Sequence, residues 1–274
     1  MTSSTDHVAL AEMRYRDLAS NGGLSALAAR GHKNIKLTFV RGRIADPKNL
    51  TPLENHFSYP PSEKCKEYGR AHIPHHPVLY AGETPAVIVE ELRLPPNSWL
   101  HLAIFYTPEP INFEYLLLLH DSLSPENTWS AVRDELHHHL AEQVDLPEPI
   151  DQVWSRIQQA AALFRGSNYA DTSAIAHHWL YSHGLDAVLY PSVRNDRWCN
   201  FALHPRFADR LLQYCVLACR WTGSVFELHH TGRASDTGQM LWEATSREDW
   251  QQFNSTYSHL TSAVQPIIPP DAAR

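Results

Sequence analysis

The sequence predicts an α+β fold of small mixed sheets flanked by helices. Three observations carry this. Short runs rich in β-branched and aromatic residues, such as KLTFVRGRI (36–44) and WLHLAIFY (99–106), read as strands. Other stretches repeat apolar residues at the spacing of one helix face, as Val153, Trp154, Ile157, Ala161 and Phe164 do. No glycine-rich phosphate loop is present, so a Rossmann or P-loop fold has no support.

The elements follow in order. Val8, Leu10, Met13 and Leu18 predict a first helix over residues 7–19, ended by Asn21-Gly22-Gly23. Lys36 to Ile44 is a strand, and residues 45–69, rich in Pro, Asn, Ser and Lys, are a long loop of the kind usually kept for function. Pro77 to Tyr80 is a short strand. Thr84-Pro85 then opens a helix running into Glu90, Glu91 and Leu92, because Thr suits the cap and Pro the first turn. Trp99 to Tyr106 is a strand, and Tyr115 to Leu119 a further apolar stretch. Ser124-Pro125-Glu126 starts a helix with Trp129, Val132, Leu136 and Leu140 on one stripe, broken at Asp145 to Pro149. Helical patterns follow over 151–165 and from Asp171-Thr172 to His183-Gly184. Ala187 to Tyr190 is a buried strand with Asn200 to Leu203 as its neighbour. LLQYCVLAC (211–219) looks helix-like, Ser224 to Leu228 reads as a strand, and Arg247 to Phe253 as a helix. No linker divides the chain. The reading is one α+β domain over 37–204, a helical extension over 1–36 and a C-terminal extension over 205–274 packed on the same domain.

Composition narrows the function. The chain has 274 residues, 43% of them hydrophobic and 19% charged, which supports a packed core and excludes a disordered chain. Net charge is −7, so a phosphate-backbone binder is not expected, although a local basic pocket for one phosphate compound is allowed. No apolar run reaches the ~18 residues needed to span a bilayer, and the N-terminus carries charges through its apolar stretch, unlike a signal peptide. Four cysteines are too sparse for a disulfide scaffold and read as reduced thiols of a cytoplasmic protein.

Three segments stand out together. They are Arg41-Gly42-Arg43 at the end of a strand, GRAHIPHHPVLYAGETPAVIVEELR (69–93), and HGLDAVLYPSVRNDRWCNFAL (183–203). Their order and spacing resemble the RES domain family, named for its Arg, Glu and Ser. The family pattern runs Gly-Arg, a turn, Val-x-Tyr, a helix ending in Glu, then Gly-x-Asp-Gly-x-x-Tyr-Pro-Ser. His72 stands where the family often has Asn, and Ala187 where Gly often follows the Asp. The resemblance implies a fold akin to diphtheria-toxin-like ADP-ribosyltransferases. It also implies a toxin of a toxin–antitoxin pair that consumes NAD by cleaving the nicotinamide–ribose bond. NAD would be the substrate, no metal is expected, and the partner would be a cognate antitoxin or immunity protein. No nucleic acid or membrane partner is implied, and homo-oligomerisation is left open.

On the same basis Glu91, Arg70, Tyr80 and Ser192 are the candidate catalytic residues, and Arg41, Arg43, Arg70, Tyr80, Ser192 and Asn200 the candidate NAD contacts. The chemistry is coherent. An arginine fork matches phosphate oxygens with two parallel hydrogen bonds. A carboxylate stabilises the positive charge that builds on the ribose as the N-glycosidic bond breaks. An aromatic ring stacks on nicotinamide, and a serine fixes a carboxamide. Glu90 remains an alternative to Glu91, with one of the two expected to face solvent. Plainer readings stand beside each choice. Arg41 and Arg43 are ordinary strand charges, Arg70 a solvated loop residue, Tyr80 a core side chain and Ser192 a turn residue.

The 18 histidines invite a metal reading, but His137, His138 and His139 splay round a helix, and no complete ligand set appears. Cys215 and Cys219 read as core thiols. Rival functions remain: a secreted effector of the same fold, a catalytically silent nucleotide- or protein-binding domain of that fold, and a metal-dependent hydrolase. Within the NAD reading, the acceptor is water, phosphate or a protein.

Overall fold

The computed structural model describes residues 4–20, 30–45, 50–51, 54–142, 149–256 and 264–266. Asn21-Gly22-Gly23 and residues 145–148 lie outside them. The chain is α+β, and it forms two compact units, each assembled from three separated stretches.

The first unit comprises residues 1–35, 59–80 and 109–210. Its strands are β1 (Arg30–Ile35), the start of β3 (Leu79–Gly82), β5 (Ile111–Leu117), β6 (Ala187–Pro191) and β7 (Cys199–Leu203); β2 and β4 belong to the other unit. β1 pairs antiparallel with β5, β5 parallel with β6 through Tyr115↔Ala187, and β6 antiparallel with β7 through Tyr190↔Asn200. A parallel pair needs a long crossover, and here α3 (Ser130–Glu142), α4 (Ile150–Arg165) and α5 (Tyr169–His177) supply it. α1 (Ser4–Ser20) precedes β1, and the short α6 (Pro205–Ala208) follows β7. The predicted stripe of α4 is buried as Val153, Ile157, Ala160, Ala161 and Phe164. It packs in one core with Ile175, Trp179, Val188, Tyr190 and Ala202, and α1 adds Ala11 and Tyr15. α5 runs on into a π-helical turn, His178–Ser182.

The second unit comprises residues 36–58, 81–108 and 211–274. β2 (Thr38–Ile44), β4 (Ser98–Tyr106), β8 (Leu212–Trp221), β9 (Phe226–Ala234) and β10 (Met240–Ala244) form consecutive antiparallel pairs. β11 (Val264–Pro266) runs parallel to β9. α2 (Pro85–Leu92) and α7 (Arg247–Thr256) are its helices. Val40, Leu100, Leu102, Ile104, Cys215, Leu217, Cys219 and Leu228 form its core with Ile88 of α2.

Three expectations change. The helix expected at Ser124 starts at Ser130. Asn127 Oδ1 accepts from Trp129 N at 2.9 Å, and Ser124 Oγ accepts from Glu126 N at 3.2 Å, so short polar side chains fold this stretch into turns first. The helix-like LLQYCVLAC is strand β8. Consecutive residues Cys215 to Cys219, which alternate between its two faces, are all buried, and a strand covered on both faces loses its alternation. Two short 3-10 turns, Glu54–Phe57 and Ser62–Lys64, punctuate the loop expected over 45–69. Cys65, Cys199, Cys215 and Cys219 are all free and buried. Among the described residues no helix is long and apolar enough to cross a membrane.

Candidate functional site

The candidate residues divide between the units: Arg41, Arg43 and Glu91 belong to the second, and Arg70, Tyr80, Ser192 and Asn200 to the first.

In the second unit, side chains alternate along β2. A Cβ on Gly42 would stand 2.0 Å from Ile88 Cγ2 and 3.3 Å from Leu92 Cδ1, so that face of β2 lies directly under α2. Arg41 and Arg43 therefore project together from the opposite face. Arg41 stands across the β2–β4 ladder from Ala103 and Arg43 from His101. Arg43 Nη2 donates to Ser58 O at 3.5 Å, and burial lowers the pKa of its guanidinium. His101 is buried and pushed down to about 4, chiefly by desolvation and secondarily by His56. The rings of Phe57 and Trp242 pack on it at 5.6 and 5.1 Å. Gly232 lies opposite Trp242, and a Cβ there would meet the indole ring at 2.8 Å, so the bare backbone makes room for the indole.

α2 starts as its sequence predicts. Thr84 is extended at the N-cap, although its side chain makes no capping bond, and Pro85 opens the helix. Arg93, in the left-handed region at φ 50, ends it. Glu91 follows the buried Val87 and Ile88 by four and three residues, on the packed side of the helix. Glu90 and Glu91 are both half-buried.

In the first unit, Arg70 is not a solvated loop residue. Its Nη1 donates to the carbonyls of Phe164 and, at 3.0 Å, Gly166, at the end of α4, where unpaired helix carbonyls favour a cation. Its guanidinium also lies 5.2 Å from the centre of the Tyr169 ring. Nε and Nη2 are left without hydrogen-bond partners among the described residues. The Tyr80 hydroxyl accepts from Ala71 N at 2.8 Å and lies 2.9 Å from His72 Nδ1. Burial raises the Tyr80 pKa well above its ordinary value.

Ser192 is 1% exposed. Its Oγ accepts from Arg194 N at 3.2 Å and Asn195 N at 3.3 Å, and its own N donates to Trp198 O at 2.9 Å. Ser192 therefore organises the turn between β6 and β7. Asn200, directly opposite Tyr190, is buried. The Tyr190 ring packs on Phe164 at 5.0 Å. Arg70, Phe164, Tyr190 and Asn200 thus form a connected series, with Ser192 two residues beyond Tyr190.

Sequence reasoning missed three features. Asp186, in the Gly-x-Asp motif, clips two strands together: its Oδ2 accepts from Glu114 N at 3.0 Å. Glu12 binds Ser182 Oγ at 2.6 Å and His178 Nδ1 at 3.1 Å, beside His177, which is 2% exposed and pushed down to about 4, chiefly by burial. A cavity of about 890 Å³ lies among Arg14, Leu18, Arg156, Leu163, Gly166 and Asp171, and no predicted site residue lines it. The first had a signal in the Gly184-Leu185-Asp186 motif and the third in the Gly-Ser-Asn break at 166–168 between two helical patterns; the second had none. Among the described residues no group of three or more His, Cys, Asp or Glu could hold a metal.

A family model of the RES domain matches residues 43–222. Arg43, Arg70, Tyr80, Glu91, Ser192 and Asn200 fall inside the match, and Arg41 lies two residues before it. Among solved structures, the chain is similar to one chain in the crystal structure of the M. tuberculosis MbcT–MbcA toxin–antitoxin complex. That likeness has 13% sequence identity and a TM-score of 0.37, covering 80% of this chain and 93% of that chain. No curated protein matches the sequence.

Proposed function

This chain belongs to the RES domain family, and on that premise we propose that it is an NAD-consuming enzyme of toxin type that cleaves the nicotinamide–ribose bond. The observation that carries the reading is the family match together with the state of Arg70. One guanidinium nitrogen is anchored on the end of α4, and the remaining N–H groups are left to bind an anion. A fork held in this way meets phosphate oxygens with little further loss of side-chain freedom. Arg41 and Arg43, two residues apart on one face of β2, are further candidate contacts for NAD.

In this reading Glu91 stabilises the positive charge that develops on the ribose and holds the ribose hydroxyls or the attacking group. Tyr80 supports the nicotinamide end. Ser192 and Asn200 define the polar wall of the substrate's binding surface. Water or phosphate takes the ribose in a glycohydrolase or phosphorylase, and a protein side chain takes it in an ADP-ribosyltransferase. A cognate antitoxin would neutralise the activity.

The test is release of free nicotinamide when the purified chain is incubated with NAD, with and without inorganic phosphate. Release that Glu91→Gln abolishes supports the reading. No release under either condition, from a chain that is folded by circular dichroism, overturns it.

A further inference from the structure

We propose that the exposed ring of Tyr169 is the platform on which the adenine of NAD stacks, beside the phosphate held by Arg70. The inference rests on the reading that Arg70 binds a phosphate of NAD, and it deepens that reading by placing the second base of the substrate.

The corner between α4 and α5 brings three groups to one guanidinium. Gly166 N donates to Leu163 O at 2.9 Å, which closes the last turn of α4. The carbonyls of Phe164 and Gly166 then accept from Arg70 Nη1. Three residues beyond Gly166, the centre of the Tyr169 ring lies 5.2 Å from the same guanidinium. The corner is also tied to α1. Asp171 accepts from Asn168 Nδ2 through one carboxylate oxygen and from Arg14 Nε through the other. The ring and the arginine are therefore set in place before a ligand arrives, so little freedom remains to be lost on binding.

Packing does not account for this ring. Phe164 and the α5 residues Thr172 to His177 are buried, yet Tyr169 at the head of the same helix is 40% exposed. Among the described residues its hydroxyl makes no hydrogen bond, and its ring meets no ring or cation besides Arg70. An aromatic ring left open beside a phosphate-binding arginine suits a nucleotide base, because bases stack on tyrosine rings and on guanidinium planes alike.

Charge decides which base. NAD carries two, on opposite sides of its pyrophosphate. The nicotinamide ring of NAD is cationic, and a guanidinium 5.2 Å from the Tyr169 centre repels a second cation there. Adenine is neutral near neutral pH and meets no such penalty. Adenine at Tyr169 leaves the nicotinamide end to Tyr80, whose hydroxyl accepts from Ala71 N beside Arg70.

The test is calorimetric, on the full chain. ADP-ribose carries the adenine and the pyrophosphate but no nicotinamide. Nicotinamide mononucleotide carries a phosphate and no adenine. Tyr169→Ala is expected to weaken ADP-ribose binding by about tenfold, within the range that stacking of a base on an aromatic ring supplies, and to change nicotinamide mononucleotide binding by less than about twofold. Tyr169→Phe keeps the ring and is expected to bind ADP-ribose as wild type does. Arg70→Ala is expected to weaken both ligands, since each has a phosphate. Equal losses for both ligands in Tyr169→Ala would make the ring a prop for Arg70 and overturn the proposal. So would an unchanged ADP-ribose affinity in that variant, a failure of Tyr169→Phe to match wild type, or no binding of ADP-ribose by wild type. Nicotinamide release from NAD is read separately. If wild type releases none while the Tyr169 pattern holds, the functional reading fails and the adenine site stands. If release is normal and the pattern is absent, the functional reading stands and the adenine site falls.

Discussion

Arg43 and His101 stand directly opposite each other across the β2–β4 ladder, a permanent cation beside an imidazole that burial keeps neutral. A charged His101 would add repulsion to the desolvation it already suffers. His177 is in the same condition, pushed down to about 4 in the core of the first unit. Both would protonate near 6.5 in the unfolded chain. As pH falls below that, the unfolded chain takes up protons that the native chain refuses, so native stability falls. From these two groups, stability is expected to be level above about pH 6.5 and to decline from there toward pH 4, by at most about 3 kcal/mol each. Urea midpoints across that range check it, and His101→Gln should flatten part of the slope.

Glu91→Gln is expected to lower NAD turnover on the order of 100- to 1,000-fold, because it removes the charge beside the developing cation while keeping the shape. Glu90→Gln is the control on the adjacent, equally half-buried carboxylate. Near-normal turnover in the first and loss in the second moves the role to Glu90. Normal turnover in both removes the carboxylate from the mechanism.

Arg70→Lys keeps the charge but has one nitrogen in place of a planar fork. It is expected to weaken NAD binding by about tenfold in a calorimetric titration. Arg70→Ala should also destabilise the fold by about 1–2 kcal/mol, since the carbonyls of Phe164 and Gly166 lose their donor. Equal affinity for NAD in wild type and Arg70→Lys counts against a forked phosphate contact.

Ser192→Ala strips the buried acceptor of two part-buried backbone N–H groups in the turn between β6 and β7. A stability loss of about 1–2 kcal/mol is expected. Faster amide exchange at Arg194 and Asn195 is the local sign. Turnover should fall further than stability explains if the hydroxyl also meets substrate, and in step with it if the turn is its whole task.

Gly42→Ala would place a methyl 2.0 Å from Ile88 Cγ2, in the seam between β2 and α2. Overpacking of this kind is expected to cost about 1–3 kcal/mol. Since α2 carries Glu91, activity should fall with it. A melting temperature equal to wild type would show that the seam relaxes without strain.

Much of the fold was legible because it rested on local patterns. The stripe of α4, the Thr84-Pro85 start of α2 and the AVLY strand each depend on neighbours in sequence, and each appears at its predicted place. Failures came where a longer-range or competing interaction decides. Burial on both faces erased the alternation of β8, and the Ser124 and Asn127 side chains captured their own backbone before α3 could begin. The same division holds at the candidate site. The resemblance to the family pattern singled out Arg70, Tyr80 and Ser192. Spacing could not reveal that Arg70 caps a helix some ninety residues later, or that His72 meets the Tyr80 hydroxyl, because those contacts are made by the folded chain.

The interleaving of the two units bears on how the protein is made. The first unit needs residues up to Arg210, and the second needs the stretch that begins at Leu211. A ribosome that has made the first two hundred residues holds neither unit whole, although six of the seven candidate site residues have a number below that and the seventh is Asn200 itself. Their chemistry is therefore withheld from the nascent chain until synthesis has passed Arg210 and entered the stretch from Leu211. A protein cut short by a stop codon before Arg210 lacks part of both units, so a truncated product is expected to be inert rather than partly active.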